Sequence, residues 1–486
     1  MHGRAIRVRC ELMTCQRWRS FPTTFQRTFI HAVSESKERA KETRPTPPVD
    51  EDRVDKRVWP IALSTFITGS AIGVALPVMP MFAAEMGLTT AEFGLVGSVF
   101  GASRLLSNLP MAVASERFGR RPFLVFGPIV AGISMVGTGL SGSLPVLLGW
   151  RVLTGLGGSA QITGAQNYLA DISKPSNRAR TLAPMSAAFS AGASVGPAIG
   201  GVLAEHFGVA PCFFYVGGAI GGVGLLNYCL LPETKVFAAA ASKEKRVVVE
   251  TGAAAAVRGE SGNDGGVPKQ PDPAGRGWLT STRDTLATTF VTWRRIASDR
   301  TVSSVLLAHL SYWCVLSGSQ FTLMPVLASE HLGMSPGAIG TIYAMVSATN
   351  VVGSQFSAHA SDKYGRKKTI VPGLALIALA VSGIPYAADG TQLTALMFLW
   401  SVGGAFVSTG PTAFLADLVR EEDRSQALAM LRSCGDLGLL VGAGATGVLA
   451  HTTSMETAFL ANAVLLAAAT ANMALRAEEK DRTQAP

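Results

Sequence analysis

The sequence predicts an all-α membrane protein of twelve transmembrane helices, arranged as two six-helix bundles that repeat one another in parallel. Three observations carry that prediction. Only 15% of the 486 residues are charged, 48% are hydrophobic, and the mean hydropathy is +0.31. A soluble domain carries about 25% charged residues, so lipid rather than water must cover most of this exterior. Apolar segments, each able to cross a hydrocarbon core of about 30 Å at about 20 residues per crossing, recur along the chain. The second half also repeats the first at a single offset of 246 residues (Gly94 onto Gly340) without a gap.

In chain order, residues 1–57 are polar, and Arg4, Arg7, Arg9, Arg17, Arg19 and Arg27 face a single early acid, Glu11. Such a start fits either an organelle transit peptide or a disordered basic tail. The first bundle, 58–231, holds spans near 58–84, 93–115, 122–141, 144–170, 180–204 and 211–231. A polar segment, 232–300, has no sustained apolar period and reads as a linker. Near 281–298, Leu286, Phe290, Trp293 and Ala297 recur at helical spacing beside Arg294 and Arg295, as in a short amphipathic helix on a membrane surface. The second bundle, 301–476, has spans near 301–329, 338–360, 368–388, 391–416, 426–450 and 456–476, and 477–486 is a tail.

The repeat superposes Gly119-Arg120 on Gly365-Arg366, Leu169-Ala170-Asp171 on Leu415-Ala416-Asp417, and Gly201-Val202-Leu203-Ala204 on Gly447-Val448-Leu449-Ala450. Six spans separate matched elements, so both halves enter the membrane with the same orientation, related by an axis along its normal. Lys and Arg gather before Val58, near 117–121 and 174–180, in 232–300, near 363–368 and 420–424, and in the tail. The alternate loops contain Glu85, Glu92, Glu205, Glu330, Asp389 and Glu456 and no Lys or Arg. By the positive-inside rule, both termini and the linker face the cytoplasm or its equivalent in an organelle. The net charge of +9 is therefore topological. Nucleic-acid binding, which needs a contiguous basic face or a stacking platform, is not indicated.

Three arginines, Arg104, Arg151 and Arg432, and one carboxylate, Asp436, remain inside the spans. Each costs at least about 2.5–3.5 kcal/mol in the bilayer centre and so needs a protein partner or a wet cavity. Their repeat mates are Asn350, Met397, Ser186 and Ser190. The charges are thus specialised, whereas the loops are duplicated. Arg151 and Gln166 share a helix face and are expected to line one cavity; the alternative has Arg151 snorkelling to the nearby interface. Arg432 and Asp436 are four apart, so either they neutralise each other or Asp436 titrates with Arg432 or Arg104 tuning it.

Two loops carry the same pattern: Ala112-Val-Ala-Ser-Glu-Arg-Phe-Gly-Arg-Arg-Pro122 and Ala358-His-Ala-Ser-Asp-Lys-Tyr-Gly-Arg-Lys-Lys368. Each combines an acid at a helix end, a turn glycine and interfacial cations. They resemble the signature loop of the major facilitator superfamily, G-x-L-a-D-R-x-G-R-R, with alanine at the usual first glycine and Glu116 for the first-half aspartate. The resemblance implies a gating role for Glu116, Arg117, Gly119, Arg120, Arg121, Asp362, Gly365 and Arg366, with Asp171 and Asp417 as companion acids. In the fifth span, Gly192, Gly196, Pro197, Gly200 and Gly201 form a small-residue face with a mid-helix proline. This resembles the antiporter motif G-x-x-x-G-P-x-x-G-G of the drug:proton branch, which includes multidrug and tetracycline-resistance exporters; generic glycine packing is the alternative. Arg151-Val-Leu-Thr-Gly155 resembles that branch's R-x-x-x-G element, associated with proton transfer.

Gly442-Ala-Gly444-Ala-Thr-Gly447 matches a dinucleotide fingerprint but lies inside a span with no strand before it, and so reads as helix packing. No Walker sequence, H-E-x-x-H or nucleophile elbow occurs, and the six cysteines have no metal-ligand spacing. The expectation is therefore a non-enzymatic monomer without cofactor or metal, in the plasma membrane or a mitochondrial or plastid membrane. It would move a small organic molecule by alternating access, with proton-coupled antiport (efflux) leading. An organic-anion or metabolite facilitator or symporter of an organelle envelope is the second reading, and a non-transporting receptor or scaffold the third. Three interior arginines against one aspartate favour an anionic or polar substrate.

Overall fold

The computed structural model describes residues 55–173, 178–234, 289–408 and 410–479. Residues 1–54 and 235–288, on which the transit-peptide and most of the linker expectations fall, lie outside the described residues. Twelve long helices occupy the twelve apolar segments. In the first half they are α1 Val58–Glu85, α2 Thr90–Phe118, α3 Arg121–Gly139, α4 Leu144–Ile172, α5 Arg178–Phe207 and α6 Val209–Leu230. In the second they are α7 Arg300–His331, α8 Pro336–Tyr364, α9 Arg366–Gly383, α10 Gly390–Leu418, α11 Arg424–Thr452 and α12 Met455–Arg476.

Among the described residues, nine helices are long and apolar enough to cross a membrane by composition alone. The other three, α2, α4 and α8, are 29 residues each. They have the length but not the uniform apolarity, because one face of each turns to protein or cavity: α2 carries Arg104, α4 carries Arg151, and α8 is α2's repeat mate. Outward-facing positions hold exposed apolar side chains, such as Leu106 of α2, Phe126, Phe356 of α8 and Leu475.

The two membrane faces cap their helices differently. On the face bearing Glu85 and Glu330, here the acidic face, short polar side chains do the work locally. Thr89 and Glu92 form a capping box on α2, Ser335 caps α8, Asp389 caps α10 and Ser454 caps α12. On the basic face Asp299 caps α7, accepting from the N–H groups of Thr301 and Val302, whereas α3 and α9 open with arginine and have no local side-chain cap.

Packing follows the small residues. Gly69, Gly192 and Gly196 bring the backbones of α1 and α5 together: a Cβ on Gly192 would run into the Phe66 carbonyl. Pro197 supplies no N–H to the turn before it, and its ring Cδ lies 2.8 Å from where a Cβ on Gly73 would stand. In the second half, Trp400, Tyr343, Phe414 and Phe459 fill a core shared by α8, α9, α10 and α12 with α7.

The halves meet chiefly at two crossings, α2 on α11 and α5 on α8. The repeat relates these two crossings to each other. A Cβ on Gly447 would lie 2.7 Å from the Thr90 carbonyl and 3.0 Å from Gly94 Cα, and one on Gly201 would lie 3.0 Å from the Pro336 carbonyl and 3.1 Å from Gly340 Cα. Both contacts sit toward the acidic face.

Residues 289–297 are helical. The expected surface helix is instead partly docked on protein. Trp293, Ile296 and Ala297 pack with Leu306, Leu415 and Leu431, Trp293 Nε1 donates to Gln426 Oε1 at 3.2 Å, and Arg295 pairs with Asp423 at 2.5 Å. Phe290 stays exposed. Leu286, the first residue of the expected stripe, lies outside the described residues.

Candidate functional site

A cavity of about 330 Å³ lies between the halves. Its walls come from α1, α2, α3, α4, α5, α6, α7 and α11, and they are largely apolar: Leu76, Met79, Phe93, Phe100, Ile162, Phe189, Trp313 and Phe321. Polar groups are few: Thr68, Thr154, Ser317, Thr322, Arg104 and Arg151. A mostly apolar pocket with sparse polar groups is the usual form of a small-molecule site, and this volume is at the small end of that range.

Helix α7 is irregular where it meets the cavity. It runs as π-helix over Leu316–Leu323 and again over Leu327–His331. Ser317 Oγ donates to the Leu439 carbonyl of α11 at 3.0 Å, and Thr322 Oγ1 donates to the Ser317 carbonyl at 2.8 Å. π-Helical turns widen the backbone and gather at functional sites.

The four interior charges and Gln166 fall into three arrangements. Asp436, 3% exposed, receives Arg104 Nη2 at 3.2 Å on one oxygen and Asn108 Nδ2 at 2.6 Å on the other. Arg104 and Asn108 belong to α2 and Asp436 to α11, so this cluster spans the joint between the halves. Arg432, one turn before Asp436, instead donates to Gln166 Oε1 of α4 at 2.8 Å, a second polar link between halves. Arg151 stands apart. It is 7% exposed, so it does not snorkel, and its Nε has no hydrogen-bond partner among the described residues. Gln166 does not share the Arg151 cavity wall; Gly158 and Ile162 do, while Gly155 packs against Ser103 of α2.

At the basic face the two loops build the same network twice. Arg120 Nε meets Asp171 at 2.8 Å and Arg366 Nε meets Asp417 at 3.2 Å. Arg120 Nη1 donates to the Ser115 carbonyl and Arg366 Nη1 to Ser361 Oγ. Arg117 and Lys363 each lie over the next residue's ring, Phe118 and Tyr364, and Asp362 pairs with Arg366 at 2.8 Å. Arg121 donates to the Tyr228 carbonyl at 2.7 Å. The side chain of Glu116 lies outside the described residues. Each ion pair named here joins helices of one half.

Sequence reasoning missed the keystones of this network. Glu233, just past α6, accepts from the backbone N–H of Arg120 at 2.9 Å and of Arg121 at 3.1 Å, capping α3. Glu479, just past α12, accepts from Lys367 N at 3.1 Å. These two glutamates are 246 apart, so the repeat offset alone would have found them. Gly119 and Gly365 favour glycine because their φ angles are +100° and +105°, and a Cβ at either would also push aside the carboxylate of Glu233 or Glu479. Replacing Glu233 with glutamine removes the charge that complements the positive end of α3. It is expected to lower stability by about 1 kcal/mol, read as a fall in thermal midpoint in detergent. Glu479→Gln should do the same at α9. Asn108, Thr154 and Trp313 were also passed over, as neutral polar or aromatic residues give no charge signal within a span.

The glycine-proline helix divides its work. Gly192, Gly196 and Gly200 lie against α1, while Gly201 and the Pro197 carbonyl lie against Gly340 of α8. One helix thus serves both the interior of a bundle and the joint between bundles.

Comparison with known proteins places this architecture. The Major Facilitator Superfamily profile matches residues 61–333 and 314–486. An uncharacterized MFS-type transporter of Methanocaldococcus jannaschii is 28% identical over 165 residues, 34% of this chain and 43% of that protein. The quinolone resistance protein NorA of Staphylococcus aureus is 27% identical over 168 residues, 35% of this chain and 43% of that protein. The chain therefore spans less than half the length of the curated relatives it matches. Among solved structures, a bacterial homologue of the human lysosomal transporter Spinster, inward-facing and occupied, is similar with a TM-score of 0.66 at 16% identity, covering 86% of this chain and 96% of that one. The human organic anion transporter MFSD10 gives 0.59 at 19% identity, covering 88% and 100%. The profile covers most of the chain and the fold agrees with it: this multi-pass membrane protein belongs to the major facilitator superfamily.

Proposed function

We propose that the protein is a gradient-driven secondary transporter of a small organic molecule, working by alternating access, with Asp436 as the proton-carrying group. The observation that carries this reading is the buried Asp436, held by Arg104 and Asn108 across the α2–α11 joint. A carboxylate in that position is stable only while paired. Protonation removes its charge, weakens the hold on Arg104 and frees one of the two crossings. The other crossing has the same glycine contact but only Asn350, Ser354, Ser186 and Ser190 at the matching positions, and so contains no such switch. Each bundle is braced at the basic face by its own loop network, which lets the halves rock as units. The superfamily match supports transport, and the NorA relative favours export. The direction of coupling, the termini facing the cytoplasm and the resident membrane belong to the same proposal.

The test is uptake into proteoliposomes under an imposed pH gradient, using a panel of small organic solutes. Flux should appear for at least one solute and collapse when an ionophore dissipates the gradient. Flux indifferent to the gradient would leave a facilitator, the second reading, which the unpaired Arg151 favours because it offers an anion a fixed partner.

A further inference from the structure

We infer that Arg151 is the anchor for the acidic headgroup of an amphipathic organic monoanion, whose apolar body fills the cavity between α1, α2, α4 and α7. The inference rests on the transport reading above and deepens it. Arg104 is already matched by Asp436, and Arg432 donates to Gln166 and does not line the cavity. Arg151 alone reaches the cavity without a partner among the described residues, and it is more than nine-tenths buried. A guanidinium in such a place is costly unless an anion or ordered water completes it. Its planar fork matches a carboxylate or sulfonate, and the other guanidinium on these walls, Arg104, is already engaged by Asp436. Among the described residues no carboxylate lines the cavity, so a substrate cation would have nothing to pair with there and would meet Arg151 as a like charge. The surrounding walls, with Phe100, Trp313 and Phe321, suit a flat aromatic or short aliphatic body, and the volume accommodates one of about two fused rings.

The site also offers a way to block it without touching the arginine. Gly158, two turns along α4, lines the same cavity, and a Cβ there would meet nothing within 4 Å. Gly158→Leu should therefore fill the cavity while leaving the fold intact.

The test uses three probes with one body and different charge: 2-naphthoate, 2-naphthamide and 2-naphthylmethylammonium. Saturable thermal stabilisation of the purified protein in detergent reports binding, and proteoliposome flux reports transport. The expected result is stabilisation by naphthoate, at least roughly tenfold weaker binding of the amide and the ammonium, and loss of the naphthoate effect in both Arg151→Gln and Gly158→Leu. Arg151→Lys should fall between, since it keeps the charge but not the fork. Absence of saturable stabilisation by naphthoate up to millimolar concentration, equal or better binding of the ammonium, or undiminished naphthoate binding in a folded Arg151→Gln would each overturn the assignment. Should Arg151→Gln not fold, Gly158→Leu and Arg151→Lys still decide. Binding that follows charge as expected but is never accompanied by flux would refute transport while sparing the anchor. Flux that ignores probe charge would refute the anchor while sparing transport.

Discussion

Asp436→Asn is expected to reduce pH-gradient-driven flux to the level of protein-free liposomes, a loss of at least roughly tenfold, while exchange at equal pH on both sides survives. Asparagine keeps the size of the side chain and a carbonyl for Asn108 to donate to, so the wall is little altered. What it cannot do is alternate between a charged form that holds Arg104 and a neutral form that releases it. Driven flux at the wild-type level would show that protons pass elsewhere. The substitution also leaves Arg104 without its anion. Breaking a buried pair from one side costs about 3–5 kcal/mol, but Arg104 is 21% exposed and retains contact with the cavity, so the cost here should lie below that range. The double variant Arg104→Gln with Asp436→Asn removes both charges. It should therefore be more stable than Asp436→Asn alone, a non-additivity that thermal unfolding of the four proteins would reveal. If the double variant merely adds the two single losses, the pair is not the coupled unit that the distances indicate.

The second large effect is predicted for Gly192→Val. The added Cβ would collide with the Phe66 carbonyl, which is backbone of α1 and cannot swing aside as a flexible side chain would. Overpacking a close-packed interior costs about 1–3 kcal/mol even where side chains can give way. Here two helix axes must move apart, so a loss at or above that range is expected, seen as collapse of the monodisperse peak in size-exclusion chromatography. Gly221→Ala is the matched control on α6, since a Cβ at that position meets nothing within 4 Å, and it should leave the peak unchanged. Equal profiles for the two variants would mean that α1 and α5 are not in backbone contact. The antiporter-like motif would then need an explanation other than close packing.

The helix α5 shows why a pattern can be read without its consequence. Small residues at Gly192, Gly196, Gly200 and Gly201 announced close approach, because only residues without bulk let backbones touch. Which partner each would meet was not legible, since a glycine has no side chain to choose one. The same holds for the basic-face loops. The repeated cations and acids were visible at 246-residue spacing, but the capping carboxylates Glu233 and Glu479 lie more than a hundred residues from the helix starts they complete, beyond any local rule.

Composition, apolar length and the repeat offset by themselves determined the twelve-helix membrane fold, its internal symmetry and the small set of charges that lipid could not tolerate, because burial in hydrocarbon penalises each residue individually, wherever its neighbours fall. The tertiary structure decided the partners of those charges. Arg432 and Asp436, four residues apart on one helix, could have neutralised each other, yet Asp436 turns to Arg104 and Asn108, Arg432 turns to Gln166, and Arg151 is left facing the cavity. Pairing depends on distances of about 3 Å between chain segments hundreds of residues apart, and only the packing of the two halves sets those distances.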